Sequence, residues 1–149
     1  MKKMRGVVMV EFAIVGAVLL TVIFGCLEFG RATYTFAALN EGTRRAARLA
    51  AVCPVNDPLI KPAVNFMGVS GLSVSNVTLS YLDANGTSLG AAPDSSLVDY
   101  VQVSVAGSIP LAIPFLSTAL SPSFTVTLPA ESLGITIAAD GSGVVTPCT

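Results

Sequence analysis

Histidine and tryptophan are absent from the 149 residues, and charged side chains make up only 11% of them. Without an imidazole the chain cannot build a Ser-His-Asp or Cys-His arrangement, a histidine-ligated zinc site or a histidine general base. The commonest catalytic designs are therefore gone before any motif is sought, and the expectation is a protein that is not an enzyme. So little charge beside a hydrophobic fraction of 52% excludes an intrinsically disordered chain and points to a membrane-embedded part. The charges are also segregated. Seven of the eight basic residues (Lys2, Lys3, Arg5, Arg31, Arg44, Arg45, Arg48) lie in the first 48 positions, whereas six of the nine acids (Asp57, Asp83, Asp94, Asp99, Glu131, Asp140) follow Cys53. Lys61 is the one cation of that later part, too little for a surface that follows a phosphate backbone, so no nucleic-acid partner is expected. There is no glycine-rich phosphate loop and no internal repeat. Asp83, Asn85 and Gly86 resemble the start of a calcium loop but lack its later ligands and read as a plain turn, so no metal and no cofactor is expected.

What the chain does have is a long apolar run. Residues 7–27 hold 17 apolar side chains in 21 positions, interrupted only by Glu11, Gly16, Thr21 and Gly25. As a helix the run rises about 31 Å, matching a hydrocarbon core of roughly 30 Å. Starting after the acid, at Phe12, leaves only about 24 Å, so a span draws Glu11 into the membrane. An ionised carboxylate there costs about 2.5–3.5 kcal/mol on insertion scales. Either Glu11 sits near the interface among headgroups, or it is protonated or partnered. Gly6 offers a partner: cutting between Gly6 and Val7 removes the basic head, exposes an α-amine at Val7 and makes Glu11 the fifth residue of the shortened chain. Amine and carboxylate can then neutralise each other between neighbouring subunits.

A short basic leader ending in Gly6, apolar residues Val7 to Val10, then Glu11-Phe12, resembles the prepilin signature of type IV pilins and pseudopilins. The continuation is more specific. Val10-Glu11-Phe12-Ala13, Phe24-Gly25, Leu27-Glu28-Phe29-Gly30-Arg31 and Ala46-Ala47-Arg48 before Cys53-Pro54 look like the TadE-like minor pilins, or pseudopilins, of tight-adherence pilus systems. The resemblance covers residues 5 to about 53. It implies cleavage after Gly6 by a membrane prepilin peptidase, an assembly role for Glu11 beside Phe12, and a pilin-like structural function in surface adhesion. The implied partners are major pilins, a sibling minor pilin, an inner-membrane assembly platform and membrane lipid. Charge counting leaves the orientation open, because Arg31, Arg44, Arg45 and Arg48 balance the basic head; the resemblance favours a bacterial inner-membrane location with a cytoplasmic N-terminus and an exported C-terminal part. The competing reading is a membrane- or lipid-anchored periplasmic binding module, with Ile23-Phe24-Gly25-Cys26 as a lipoprotein signal. Bulky Phe24, the interrupting Glu11 and a helical pattern continuing past Cys26 count against it.

From residue 30 onward the pattern becomes two-faced: Phe36, Leu39, Thr43, Ala46 and Ala50 recur at spacings of three and four, with Glu41, Arg44, Arg45 and Arg48 opposite. The helix is expected to end near Cys53, before Pro54. Gly42, Ala46, Ala47 and Ala50 permit close approach, most simply by the chain's own sheet. A short helix is expected within residues 57–68. Alternation then predicts three strands, around Val77-Leu79-Tyr81, Val101-Val103-Val105 and Phe124-Val126-Leu128, with a turn at Asp83 to Gly86. The apolar stretch Ile109 to Leu116, with two prolines, reads as an interface or as packing inside the fold. The expected fold is α+β: residues 1–6 a leader, 7–29 a transmembrane segment, 30–53 its amphipathic continuation, and 54–149 a β-rich exported domain with a small antiparallel sheet packed on the helix. Cys53 and Cys148 are either a disulfide in an exported domain or two free thiols in a reducing compartment. The role of the tail after Glu131 is left open.

Overall fold

The structure is a computed structural model and describes residues 5–69, 72–106 and 123–148. Its first element, α1 (Arg5–Val52), is one unbroken helix of 48 residues, about 72 Å long. Nothing in residues 6–52 breaks it: there is no proline, and its glycines are isolated. The helix has two environments. From Gly6 to Tyr34 no residue is buried, whereas Thr35, Ala38, Leu39, Gly42, Thr43, Ala46, Ala47, Ala50 and Ala51 form a buried stripe at steps of three and one. That is one face of a 3.6-residue helix. The two buried threonines spend their hydroxyls on the carbonyls one turn back, Thr35 on Arg31 (2.9 Å) and Thr43 on Leu39 (2.7 Å), which removes the penalty of burying them.

Against this stripe lies a three-stranded antiparallel sheet, β1 (Val77–Leu82), β2 (Tyr100–Ala106) and β3 (Ser123–Pro129), with β2 in the centre. The register sets Val77 beside Val105 and Phe124, Leu79 beside Val103 and Val126, and Tyr81 beside Val101 and Leu128. Every apolar side chain of the alternating pattern thus falls on the helix-facing side, while Thr78, Ser80, Gln102, Ser104, Thr125 and Thr127 take the outer one. The expected α+β architecture, a long apolar helix packed on a small antiparallel sheet, is what the structure has. The stretch from Ile109 to Leu116 lies outside the described residues.

The details depart from expectation in three places. The helix expected in residues 57–68 is a single 3₁₀ turn, Pro62–Asn65, set among other turns; Pro62 supplies no N–H, so it can only open such a turn. At Gly42 the close approach comes from this turn and not from the sheet: a Cβ there would run into the backbone carbonyl of Val64. The tail, whose role the sequence left open, is a second small sheet, β4 (Ile135–Ile137) paired with β5 (Gly143–Val145).

That tail is built around the end of the helix. The last carbonyls of an α-helix have no partner within it. Here the carbonyl of Ala51 accepts the N–H groups of Glu131 (3.0 Å) and Leu133 (3.4 Å), and that of Val52 accepts the N–H of Gly134 and the hydroxyl of Ser132 (3.1 Å). Leu133 and Gly134 turn through the left-handed region, with φ of 45° and 75°. Glycine is required at the second position, since a Cβ would meet the Pro54 ring. A disulfide between Cys53 and Cys148 closes the arrangement.

Candidate assembly surface on the helix

Gly6 and Val7 lie in the first turn of α1, and Glu11 and Phe12 follow one turn later. All four are exposed, Phe12 at 79%. Glu11 stands between two shallow apolar surfaces of its own helix, one formed by Val8, Phe12 and Val15, the other by Val7, Val10 and Ile14. It is the only charged side chain from Gly6 to Leu27. The most apolar 18-residue window of the helix has a mean hydropathy of 2.7 and no burial inside the protein. Water cannot be the intended neighbour of so much aliphatic surface, and by length and composition the helix can cross a membrane.

The expected sites are brought together only in part. Gly6, Val7, Glu11 and Phe12 share the lower end of the helix. Cys53 and Cys148 meet at its upper end, 41 residues beyond Phe12, a rise of about 62 Å. Cys26 is a free, exposed thiol in the middle of an unbroken helix, which gives no flexible tether after it. Along the helix, Glu28 and Arg31 meet at 3.4 Å. Arg45 instead stacks its guanidinium over the Phe66 ring, 4.8 Å from the centroid, and Glu41 pairs with neither Arg44 nor Arg45 among the described residues.

A cluster that sequence reasoning did not anticipate locks the upper end. Asn56, with φ of 62°, gives its backbone N–H to the buried Tyr81 hydroxyl at 2.7 Å. The Asp57 carboxylate, itself buried, accepts the N–H of Leu59 (2.9 Å) on one oxygen and that of Cys148 (3.1 Å) on the other. Burial raises the Tyr81 pKa above its ordinary 10.0; the Asn56 N–H works against that shift and the nearby Asp57 charge adds to it. The available signal was Asn56-Asp57-Pro58, two residues after the helix-ending Pro54, a run with left-handed and Asx-turn propensity. It marks a tight turn but cannot name Tyr81 or Cys148 as partners.

The class defined by this architecture is a single apolar helix able to span a membrane, continued without a break into a small α+β domain that packs on its second half. Over residues 6–48 the chain matches the family model described as TadE-like protein. The matched segment begins at Gly6 and runs through Arg48, so it covers most of the helix and stops before the sheet. The chain matches no curated protein and no solved structure.

Proposed function

We propose that the chain is a minor pilin or pseudopilin, a structural subunit in the assembly of a tight-adherence pilus that supports surface adhesion. The observation that carries this reading is that the TadE-like match starts at Gly6, at the foot of the exposed helix half, with Glu11, the only charged side chain from Gly6 to Leu27, five residues further on. A prepilin peptidase cuts between Gly6 and Val7. The new α-amine then lies four residues from Glu11, a rise of about 6 Å, and helix geometry tilts the Glu11 side chain toward that end. While the subunit waits in the inner membrane, with its N-terminus on the cytoplasmic side, its own amine offsets the carboxylate. On assembly the carboxylate takes the amine of a neighbour, a major pilin or a sibling minor pilin delivered by the inner-membrane platform. In lipid the apolar helix faces have no hydrophobic reason to choose one register over another, so the charge pair sets the axial position.

The mature N-terminus, read by mass spectrometry on protein from piliated cells, tests the cut: a chain beginning at Val7 is expected, and one still carrying Met1 to Gly6 sinks the reading. Glu11→Leu is expected to be cut normally and to abolish piliation. Unchanged piliation by that variant removes the assembly role from Glu11.

A further inference from the structure

A helix that crosses a membrane fixes how high the rest of the chain stands. Because α1 is unbroken from Arg5 to Val52, each residue after Leu27, the last of the apolar run, adds about 1.5 Å above the hydrocarbon. The headgroup layer beyond it is about 5–8 Å thick on each side. Two contacts bring the domain down to that layer. The Tyr34 hydroxyl donates to the Met67 carbonyl at 3.4 Å; Tyr34 stands about 10 Å above Leu27, and its side chain leans back over the turn below. The Phe36 ring meets Phe124 edge-on, with 5.8 Å between centroids, and Ser123, one strand step lower, lies opposite Ala106.

From there β3 climbs beside the helix. Phe124 meets Phe36, and Glu131, seven residues on, is bonded to the Ala51 carbonyl; strand and helix each cover about 23 Å between those points. The domain thus has a foot at Met67, Ala106 and Ser123, about 5–10 Å above the hydrocarbon, and a far end about 36 Å above it. The two ends differ in chemistry. Asp83, Asp94 and Asp99 lie in the connection between the upper ends of β1 and β2, Glu131 at the helix end, and Asp57 and Asp140 in the turns and tail fastened there. No acid of the domain is at the foot among the described residues. Instead Phe29, Tyr34 and Met67 are exposed, and the helix charges at that height, Glu28 and Arg31, meet each other at 3.4 Å. The sixteen residues between Ala106 and Ser123 carry no charge, and both points where they join the sheet are at the foot.

We propose that this foot is a lipid-contact surface, resting in the headgroup layer of the membrane that the helix crosses. Aromatic side chains with a wet end and an apolar body are favoured at that depth, which suits Tyr34 beside Met67. Anionic lipid repels an acidic surface, so the distribution of charge turns the far end away from the bilayer and leaves the foot against it. The contact makes the domain's orientation a property of the leaflet as well as of the helix. It rests on the membrane span contained in the proposed function and is independent of the cut at Gly6.

The test uses the full chain with Cys26→Ser and its disulfide intact, in vesicles of phosphatidylethanolamine and phosphatidylglycerol. Val18→Cys, Met67→Cys, Ser123→Cys and Ile137→Cys, each alone in that background, carry an environment-sensitive fluorophore, and nitroxide lipids labelled on the headgroup or on the acyl chain serve as quenchers. The label at Val18 is expected to be quenched by the acyl-chain nitroxide. Those at Met67 and Ser123 are expected to show blue-shifted emission quenched by the headgroup nitroxide, and that at Ile137, 82% exposed in the tail, to be quenched by neither. Quenching at Met67 and Ser123 no stronger than at Ile137, with Val18 still quenched, overturns the proposal and leaves the span standing. Absence of quenching at Val18 overturns both. Blue-shifted emission at Met67 that headgroup nitroxide does not quench marks another protein chain as the occupant, and overturns the proposal as well.

Discussion

The link between Cys53 and Cys148 closes a loop of 95 residues. In the chain-entropy model a loop of that length takes about 4.7 kcal/mol of freedom from the unfolded chain. Part of that will not appear on its loss. Segment 131–134 remains bonded to the helix end, but β4 and β5 have three residues each, and a two-stranded sheet of that size is marginal by itself. Residues 135–148 can therefore fray locally before the domain melts. The Cys53→Ala, Cys148→Ala double variant is expected to lose about 2–4 kcal/mol, a fall in melting temperature of about 10–25 °C for a domain of this size. The near-ultraviolet tyrosine signal is the probe to follow, since Tyr81 is fully buried in the sheet and no tryptophan obscures it. Reduced wild-type protein should melt with the double variant. Alkylation of unreduced, denatured protein should label Cys26 alone. A melting temperature lowered by less than about 3 °C would refute the reasoning, because the tail would then constrain the unfolded chain very little.

Two further substitutions probe the helix face and the buried cluster. Gly42→Ala is expected to cost about 1–3 kcal/mol by thermal melting, because the added Cβ meets the Val64 backbone and the 3₁₀ turn must move; Gly30→Ala, with nothing near its Cβ, should be neutral or stabilising by up to about 1 kcal/mol. Tyr81→Phe removes the acceptor of the Asn56 N–H and should cost about 1–2 kcal/mol. The raised pKa of Tyr81 fixes a sign as well. Its neutral form is favoured by folding, so the stability it contributes is complete below the unfolded value of 10.0 and is lost as pH rises through the higher folded value. Alkaline melts should show this loss in the wild type, and Tyr81→Phe should remove that share of it.

Much of the fold was legible because two periodicities carry it. The three strands and the faces they bury follow from alternation at Val77-Leu79-Tyr81, Val101-Val103-Val105 and Phe124-Val126-Leu128. The helix stripe at Leu39, Thr43, Ala46 and Ala50 follows from steps of three and four, and only Phe36 stays at the rim, 37% exposed and edge-on to Phe124. The tail was not legible. Its position depends on helix carbonyls seeking donors some 80 residues away along the chain, and nothing local in Ser132 to Gly134 names their partner. The clamp of Asp57 on Cys148 hid for the same reason: a buried carboxylate satisfied by two backbone N–H groups leaves no trace in residue type. At the lower end of the helix the acid stood out because its surroundings are uniformly apolar.

The two halves of the helix solve the same problem in different ways. Above Tyr34 the chain covers one helix face with its own sheet, and it selects that face with small residues: Gly42 admits the Val64 backbone, and Ala46, Ala47 and Ala50 are fully or nearly fully buried. Below it, Gly16 and Gly25 leave notches that nothing among the described residues enters. In water such notches beside exposed Phe12, Val15 and Phe24 would drive indiscriminate association. In lipid they would not, because acyl chains serve as well as a neighbouring helix. A surface that is permissive everywhere cannot encode a partner by shape alone, so what discrimination it has must come from a group that lipid cannot satisfy. From Gly6 to Leu27 the only side chain with a full charge is Glu11. On the pilin reading proposed above, the position-specific content of the lower helix is thus concentrated in one carboxylate, and the aliphatic residues around it supply contact without choosing a register.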